Sequence, residues 1–187
     1  PEGCSTTETV TVNVNPSPQL TSAQPTAICS GDTFNNYIPT SNTPGTYSWI
    51  RYTNGDINEN GASGSGIAGT TVINDGVLTN NTSSPVTVTY YITLPTTGLG
   101  CTATATIDVV VNPTPDQAGP ITSLDPVVCA GSAGNIYTVA PIANATSYFW
   151  TLPDGSTNTT STNSLTINFG ISSPSGNLTV QGKNNCG

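Results

Sequence analysis

One short segment occurs twice in this chain, roughly a hundred residues apart, and it limits what the chain can fold into. Gly3-Cys4 leads into alternating Thr and Val and ends on Asn15-Pro16-Ser17-Pro18; Gly100-Cys101 leads into Thr/Ala alternation and ends on Asn112-Pro113-Thr114-Pro115. The copies align without a gap, so Val10, Val12 and Val14 fall on Ile107, Val109 and Val111. A period of two is the mark of a half-buried strand, and a Pro-x-Pro segment is a stiff, extended connector. Each copy therefore reads as the closing strand of a domain followed by a joint, and the spacing implies an array of domains rather than one globule. On this reading residues 1–16 are the last strand of a preceding domain, 17–115 a complete domain and 116–187 a second, shorter one.

Charged residues make up 6% of the chain, far below the roughly 25% usual in soluble domains. The polar surface has to be built from Thr, Ser and Asn. Two cations, Arg51 and Lys183, stand against ten carboxylates, for a net charge of −8. Nucleic-acid binding needs clustered Lys and Arg to displace counterions, and so does attraction to an acidic membrane; both are excluded as partners. No apolar run approaches the ~20 residues of a membrane helix, so no direct membrane insertion is expected. An acidic, Lys-poor chain without Met at position 1 reads as a piece of an exported protein whose export signal lies outside it.

The five cysteines follow the repeat. Cys4 and Cys101 are equivalent, and Cys29-Ser-Gly-Asp matches Cys129-Ala-Gly-Ser, each with a Tyr eight residues after the Cys. Cys29 and Cys129 thus open domains, while Cys4, Cys101 and Cys186 close them. This predicts bridges Cys29–Cys101 and Cys129–Cys186, with Cys4 pairing upstream. A metal site is the rival reading, but there is no CxxC pair and no His. Disulfides place the chain in an oxidising compartment.

Strands are expected near 26–29, 46–52, 70–73, 86–94 and 102–111, then near 135–140, 145–152, 165–169 and 177–183. Tyr47 and Trp49 share a face, as do Val86, Val88, Tyr90, Ile92 and Leu94, and this is the antiparallel pattern. Five glycines between 53 and 69 (Gly55, Gly61, Gly64, Gly66 and Gly69) read as loop. Leu152-Pro153-Asp154-Gly155-Ser156 reads as a turn. No window carries a 3.6-residue period over a helix length. The fold class is all-β: tandem Greek-key β-sandwiches with disulfides, each ordered Cys, Trp, Cys in the manner of immunoglobulin-like domains.

On these residues the chain resembles the PKD-like repeat domains of very large surface proteins of Bacteroidota, of the gliding-motility adhesin type. The resemblance rests on Ile28-Cys29-Ser30-Gly31, the Thr46–Trp49 strand, Asn80-Asn81-Thr82 through Tyr90, and Gly100-Cys101 through Pro115. In the second domain it rests on Val128-Cys129-Ala130-Gly131-Ser132, Ala145 through Trp150, Leu165 through Gly170, and Asn184-Asn185-Cys186-Gly187. It implies β-sandwich domains, export by the type 9 secretion system, an extracellular place on the bacterial cell surface, and no catalytic residues. Expected partners are neighbouring repeats of the same chain, with surface polysaccharide or other surface proteins as adhesive targets.

The residues agree that catalysis is absent. Ser-His and Cys-His chemistry has no His to use. The carboxylates are scattered beside Gly or Pro (Asp32, Asp75, Asp125, Asp154) and read as turn residues. Asp56-Ile57-Asn58-Glu59-Asn60-Gly61 matches the first half of a calcium-loop pattern, making Asp56, Asn58 and Asn60 candidate Ca²⁺ ligands. The twelfth position is Ile67 rather than Glu, so a solvated Asn/Gly loop is the competing reading; no other cofactor is expected. Tyr91 and Phe149, on the faces opposite the core aromatics, are candidate glycan contacts, with coverage by loops or a neighbour as the alternative. The sequons at Asn80, Asn81, Asn144, Asn158 and Asn177 follow from the Asn/Thr content. The chain therefore reads as a non-catalytic stalk and adhesive surface, or else as a binding or spacer module of an exported polysaccharide-degrading enzyme.

Overall fold

The computed structural model describes every residue of the chain except Pro1, Glu2, Ser5, Asn54, Asn58, Glu59 and Pro126. Among the described residues there are thirteen strands and no helix, and the fold is all-β with its sheets in a sandwich-like arrangement. In chain order they are β1 (Ile28–Cys29), β2 (Asp32–Phe34), β3 (Thr46–Arg51), β4 (Ala62–Ile67), β5 (Gly76–Leu78), β6 (Val86–Thr93), β7 (Thr104–Asn112), β8 (Ile121–Ser123), β9 (Asn135–Val139), β10 (Ser147–Thr151), β11 (Thr157–Thr160), β12 (Ser164–Ile167) and β13 (Thr179–Lys183). One sheet has the order β1-β7-β6-β3-β4 and is faced by the pair β2-β5. In the C-terminal half, β11-β10-β13 is faced by β12-β9-β8.

The period of two decides which residues are inside. In β6, Val86, Val88, Tyr90 and Ile92 are buried while Thr87, Thr89, Tyr91 and Thr93 are not. The facing register of β7 places Ile107 opposite Tyr90 and Val109 opposite Val88, all on the inner face. These residues join Phe34, Tyr47, Trp49, Ile73 and Leu78 in one cluster. Tyr148, Trp150, Leu165 and Ile167 anchor a second, smaller cluster. The predicted inward Trp is found in both: Trp49 is 6% exposed and Trp150 is fully covered. Trp150 Nε1 donates to Thr160 Oγ1 at 3.0 Å, which satisfies the indole inside the core.

The glycine-rich stretch departs from the loop reading. Residues 62–67 form β4, paired antiparallel with β3, with Gly64 opposite Trp49 and Gly66 opposite Tyr47. Apart from the Ala62 methyl, the inner face of β4 carries no side chains, because the two rings of β3 lie across Gly64 and Gly66. A Cβ on Gly64 would sit 2.7 Å from Trp49 Nε1, and one on Gly66 would sit 2.6 Å from Thr71 Cβ. These glycines make room for aromatics rather than for turns. Gly64→Val is therefore expected to displace Trp49 and destabilise the N-terminal sandwich by about 1–3 kcal/mol, read as a lower urea midpoint. An unchanged midpoint would show that β4 does not pack as described.

The 70–73 strand is also corrected. Ile73 is fully buried but makes only an isolated bridge to Tyr37, and the ladder in that region is β5. The 152–156 turn forms as expected. Leu152 N donates to Ser156 O, Gly155 takes φ 81°, and Asp154 Oδ1 accepts from Ser156 N and Oγ. Those bonds to Ser156 hold the Asp154 carboxyl below the usual carboxylate range.

Candidate functional site at the joint between the halves

β1 decides where the cysteines go. It pairs parallel with β7, so that Ile28 lies level with Val111 and Cys29 with Asn112. Cys29 is thereby fixed beside the start of the Pro113-Thr114-Pro115 connector, and Ser30 N donates to Asn112 O at 2.8 Å. Cys101 precedes β7, at its other end. Eleven residues of extended chain separate it from Asn112, a distance of roughly 36 Å, whereas a bridge needs Cα atoms within about 7 Å. The predicted Cys29–Cys101 bridge is thus ruled out by strand direction.

The second predicted bridge fails in the same way. Cys129 lies at the pole of the C-terminal sandwich where Gly131 N donates to Gly170 O and where Leu178, ahead of β13, and Pro153 line the same cleft. Cys186 lies beyond the opposite end of β13. The observed bridge is Cys29–Cys186, with Cα atoms 5.4 Å apart across a sequence separation of 157. Cys4, Cys101 and Cys129 are free thiols. The opening and closing roles inferred from the repeat stay compatible with this; the bridge joins an opening cysteine to the closing cysteine of the next half rather than of its own.

Around the bridge the connector is captured rather than merely stiff. Asn184 Nδ2 donates to Pro113 O (3.0 Å) and to Asn144 O (2.9 Å). Asn144 Nδ2 donates to Thr114 O (3.2 Å), and Asp116 N donates to Ala143 O (3.0 Å). Asn144 holds φ 63°, a left-handed conformation that Asn tolerates better than most residues. Gly182 allows Pro115 to close in, since a Cβ there would lie 3.1 Å from Pro115 Cβ and 2.8 Å from Ala145 and Ile142. The carbonyls of Pro113 and Thr114, exposed in a free connector, both have donors here.

A buried polar cluster stiffens the N-terminal side. Arg51 is 2% exposed, and its Nε meets Asp75 Oδ2, whose side chain is fully covered. Arg51 Nη2 also donates to Asn60 O at 2.8 Å, and Tyr90 Oη donates to Asp75 Oδ2 at 2.6 Å. Burial, reinforced by the Asp75 carboxylate, pushes the Tyr90 hydroxyl far above its ordinary range, so it stays a donor. Sequence reading took Asp75 as a turn carboxylate. The missed signal was parity: Arg51 falls two residues after Trp49 and four after Tyr47, on the inward face of the same strand.

Asn80 is the second polar keystone. Its Nδ2 donates to Ser84 O and Val111 O, each at 2.8 Å, and its Oδ1 accepts from Thr82 N and Oγ1. At 8% exposure it is a structural residue rather than an accessible sequon, and Asn144 is likewise engaged in the joint.

Of the calcium set, Asn58 lies outside the described residues, the backbone carbonyl of Asn60 accepts from Arg51, and Ile57, which follows Asp56, is buried and bridges Asn80. Among the described residues no group of three His, Cys, Asp or Glu gathers as a metal would require. Tyr91 is 44% exposed and meets the exposed Tyr52 edge to face, with ring centroids 5.4 Å apart. Phe149 is half-buried beneath Lys183, whose Nζ lies 5.9 Å from the ring centre. The two glycan candidates thus sit on separate sandwiches.

Residues 113–187 match a family model described as a PKD-like domain. That stretch begins at the connector and contains the whole C-terminal sandwich with Cys186. No curated protein matches the chain. Among solved structures, one of an amphioxus IgVJ-C2 molecule is similar at 16% identity over 83% of this chain and 90% of that chain, with a TM-score of 0.32.

Proposed function

We propose that the chain is a non-catalytic repeat segment of a large exported cell-surface adhesin or filament, acting as stalk and adhesive surface in cell adhesion or gliding motility. The observation that carries this reading is the covalently closed joint. A flexible tether between binding or catalytic modules has no use for a disulfide from one sandwich to the next, with the Pro113 and Thr114 carbonyls of the connector hydrogen-bonded. A spacer that must hold its direction does. The PKD-like match over 113–187 supports a non-catalytic module, and the disulfide is in keeping with an extracellular site. Cys129 and Cys101 lie at the outer poles, where the same opening-to-closing bridge would extend to neighbouring repeats.

Small-angle X-ray scattering on the oxidised chain and on Cys186→Ser tests the proposal. The oxidised chain is expected to scatter as one particle of fixed length, and the variant as a broader, bent distribution. Identical profiles would remove the spacer role. The second reading, a glycan-binding module of a secreted enzyme, draws on the exposed Tyr52–Tyr91 pair. A glycan array probed with the oxidised chain separates the two, since the stalk reading expects no discrete ligand.

A further inference from the structure

The outer face of the five-stranded sheet carries a pattern that the core does not explain. The ladders align Ser65, Ser48, Thr93 and Thr104 in one row across β4, β3, β6 and β7. Ser63, Ile50, Tyr91 and Thr106 form the next row. Each row spans roughly 14 Å and the two lie about 7 Å apart, from the ordinary strand spacing and rise. Every one of these side chains points away from the core and is exposed. Among the described residues, the serine and threonine hydroxyls of both rows have no hydrogen-bond partner, whereas Thr89, one row on, donates to Asp108 Oδ1 at 2.7 Å. Tyr52, one residue past β3, is 62% exposed and meets Tyr91 edge to face, so the two rings form a corner open to solvent. The second sandwich has no such set. Trp150 pairs with Val180 as Trp49 pairs with Ile92, so Thr151 and Thr179 stand where the first sandwich has Ile50 and Tyr91.

We propose that this face binds an uncharged, extended polysaccharide chain lying across the strands. Tyr91 and Tyr52 stack on sugar rings, and the flanking hydroxyls bond to those of the sugar. The inference rests on the glycan reading of the Tyr52–Tyr91 pair and adds the ligand class and the extent of the site. Charge decides the class. The face holds no cation, because Arg51 points inward and Lys183 lies on the other sandwich. Asp108, exposed on β7 two residues after Thr106, repels an acidic chain. Chemistry decides the occupant. A tyrosine ring offers an apolar face to the C–H side of a sugar and a hydroxyl at its tip. Each serine or threonine hydroxyl can both donate and accept, as a sugar hydroxyl requires of its partner. The apolar part is Ile50 and two rings set among hydroxyls, a thin centre for a protein partner to bury. Strands about 4.8 Å apart also bring a new side chain into reach at close to each residue of an extended sugar chain.

Electrophoresis of the oxidised chain through native gels containing hydroxyethylcellulose, glucomannan or alginate tests this. Both neutral polymers are expected to retard the chain and acidic alginate to leave its migration unchanged. Tyr91→Thr gives β6 the residue it already has at Thr87, Thr89 and Thr93. It is expected to abolish the retardation with an unchanged melting temperature, and Tyr52→Thr to reduce it. Retardation that persists in both variants overturns this site while leaving the glycan reading standing. Unchanged migration in every gel overturns both, and retardation by alginate overturns the uncharged class. Sedimentation of the wild-type chain at a mass that doubles with concentration, and of Tyr91→Thr as a monomer, would give the face to a second copy and overturn the proposal as well.

Discussion

Asp75→Ala is expected to remove roughly 3–5 kcal/mol from the N-terminal sandwich, a large share of the stability of a domain. The reason is what stays behind. The Arg51 guanidinium is 2% exposed, and its Nε and Nη2 both lie against the Asp75 carboxylate. Removing the carboxylate takes away the negative charge that two guanidinium nitrogens face in a site closed to water. Tyr90 Oη loses its acceptor in the same step. The effect is therefore larger than any attraction between the two groups in water, which for exposed pairs is about 0.2–1 kcal/mol. Urea denaturation followed at both tryptophans checks this, with the Trp150 sandwich as the internal reference. Arg51→Met in the Asp75→Ala background is expected to recover part of the loss, because an apolar side chain of similar length needs no partner. An Asp75→Ala midpoint equal to wild type would show that the buried pair is dispensable.

Cys29→Ser is expected to act on the other sandwich. Cys29 sits in the first half, but β1 fixes it beside Asn112, so while the first half is folded the bridge closes a loop of residues 113–186. Chain-entropy reasoning gives about 4 kcal/mol for a loop of that length. The C-terminal core is the smaller of the two, with Val139, Ile142, Tyr148, Trp150, Leu165 and Ile167 buried, and it has less to spare. Thermal or urea melts are expected to show the C-terminal transition moving far down and the N-terminal one nearly unmoved. A shift confined to the N-terminal transition would mean that the bridge serves the half in which Cys29 lies.

The alternation of β6 and β7 was readable from sequence because both strands face one core and solvent on the other side, so side-chain polarity reports position directly. The aromatic pairs of β3 and β10 were readable for the same reason. β4 was not, because Gly64 and Gly66 leave its inner face to the rings of β3; a strand whose inward positions are Ala and Gly has the composition of a loop. The cysteine pairing failed at a different level. Equivalence by repeat gives the role of each cysteine but not the direction of β1, and parallel pairing with β7 moves Cys29 the full length of a strand from where an antiparallel neighbour would put it. Arg51 and Asp75 are 24 residues apart, and only the assembled sandwich brings them together. The joint was foreseen as stiff because of its prolines, while the structure holds it through Asn144 and Asn184, whose hydrogen bonds to the connector the sequence did not announce.

The Cys29–Cys186 bridge also sets the route of a mechanical pull. Tension applied between the two ends enters through the first 28 residues, crosses directly from sulfur to sulfur, and leaves through Gly187. Both hydrophobic clusters, from Phe34 to Ile167, lie inside the bypassed loop. Apart from the pairings of Leu20 and Ile28, which precede Cys29, their backbone ladders are therefore shielded while the bridge stays oxidised. Extensibility in such a segment is governed by redox state rather than by force, and breaking a single covalent bond releases both sandwiches to the load at once.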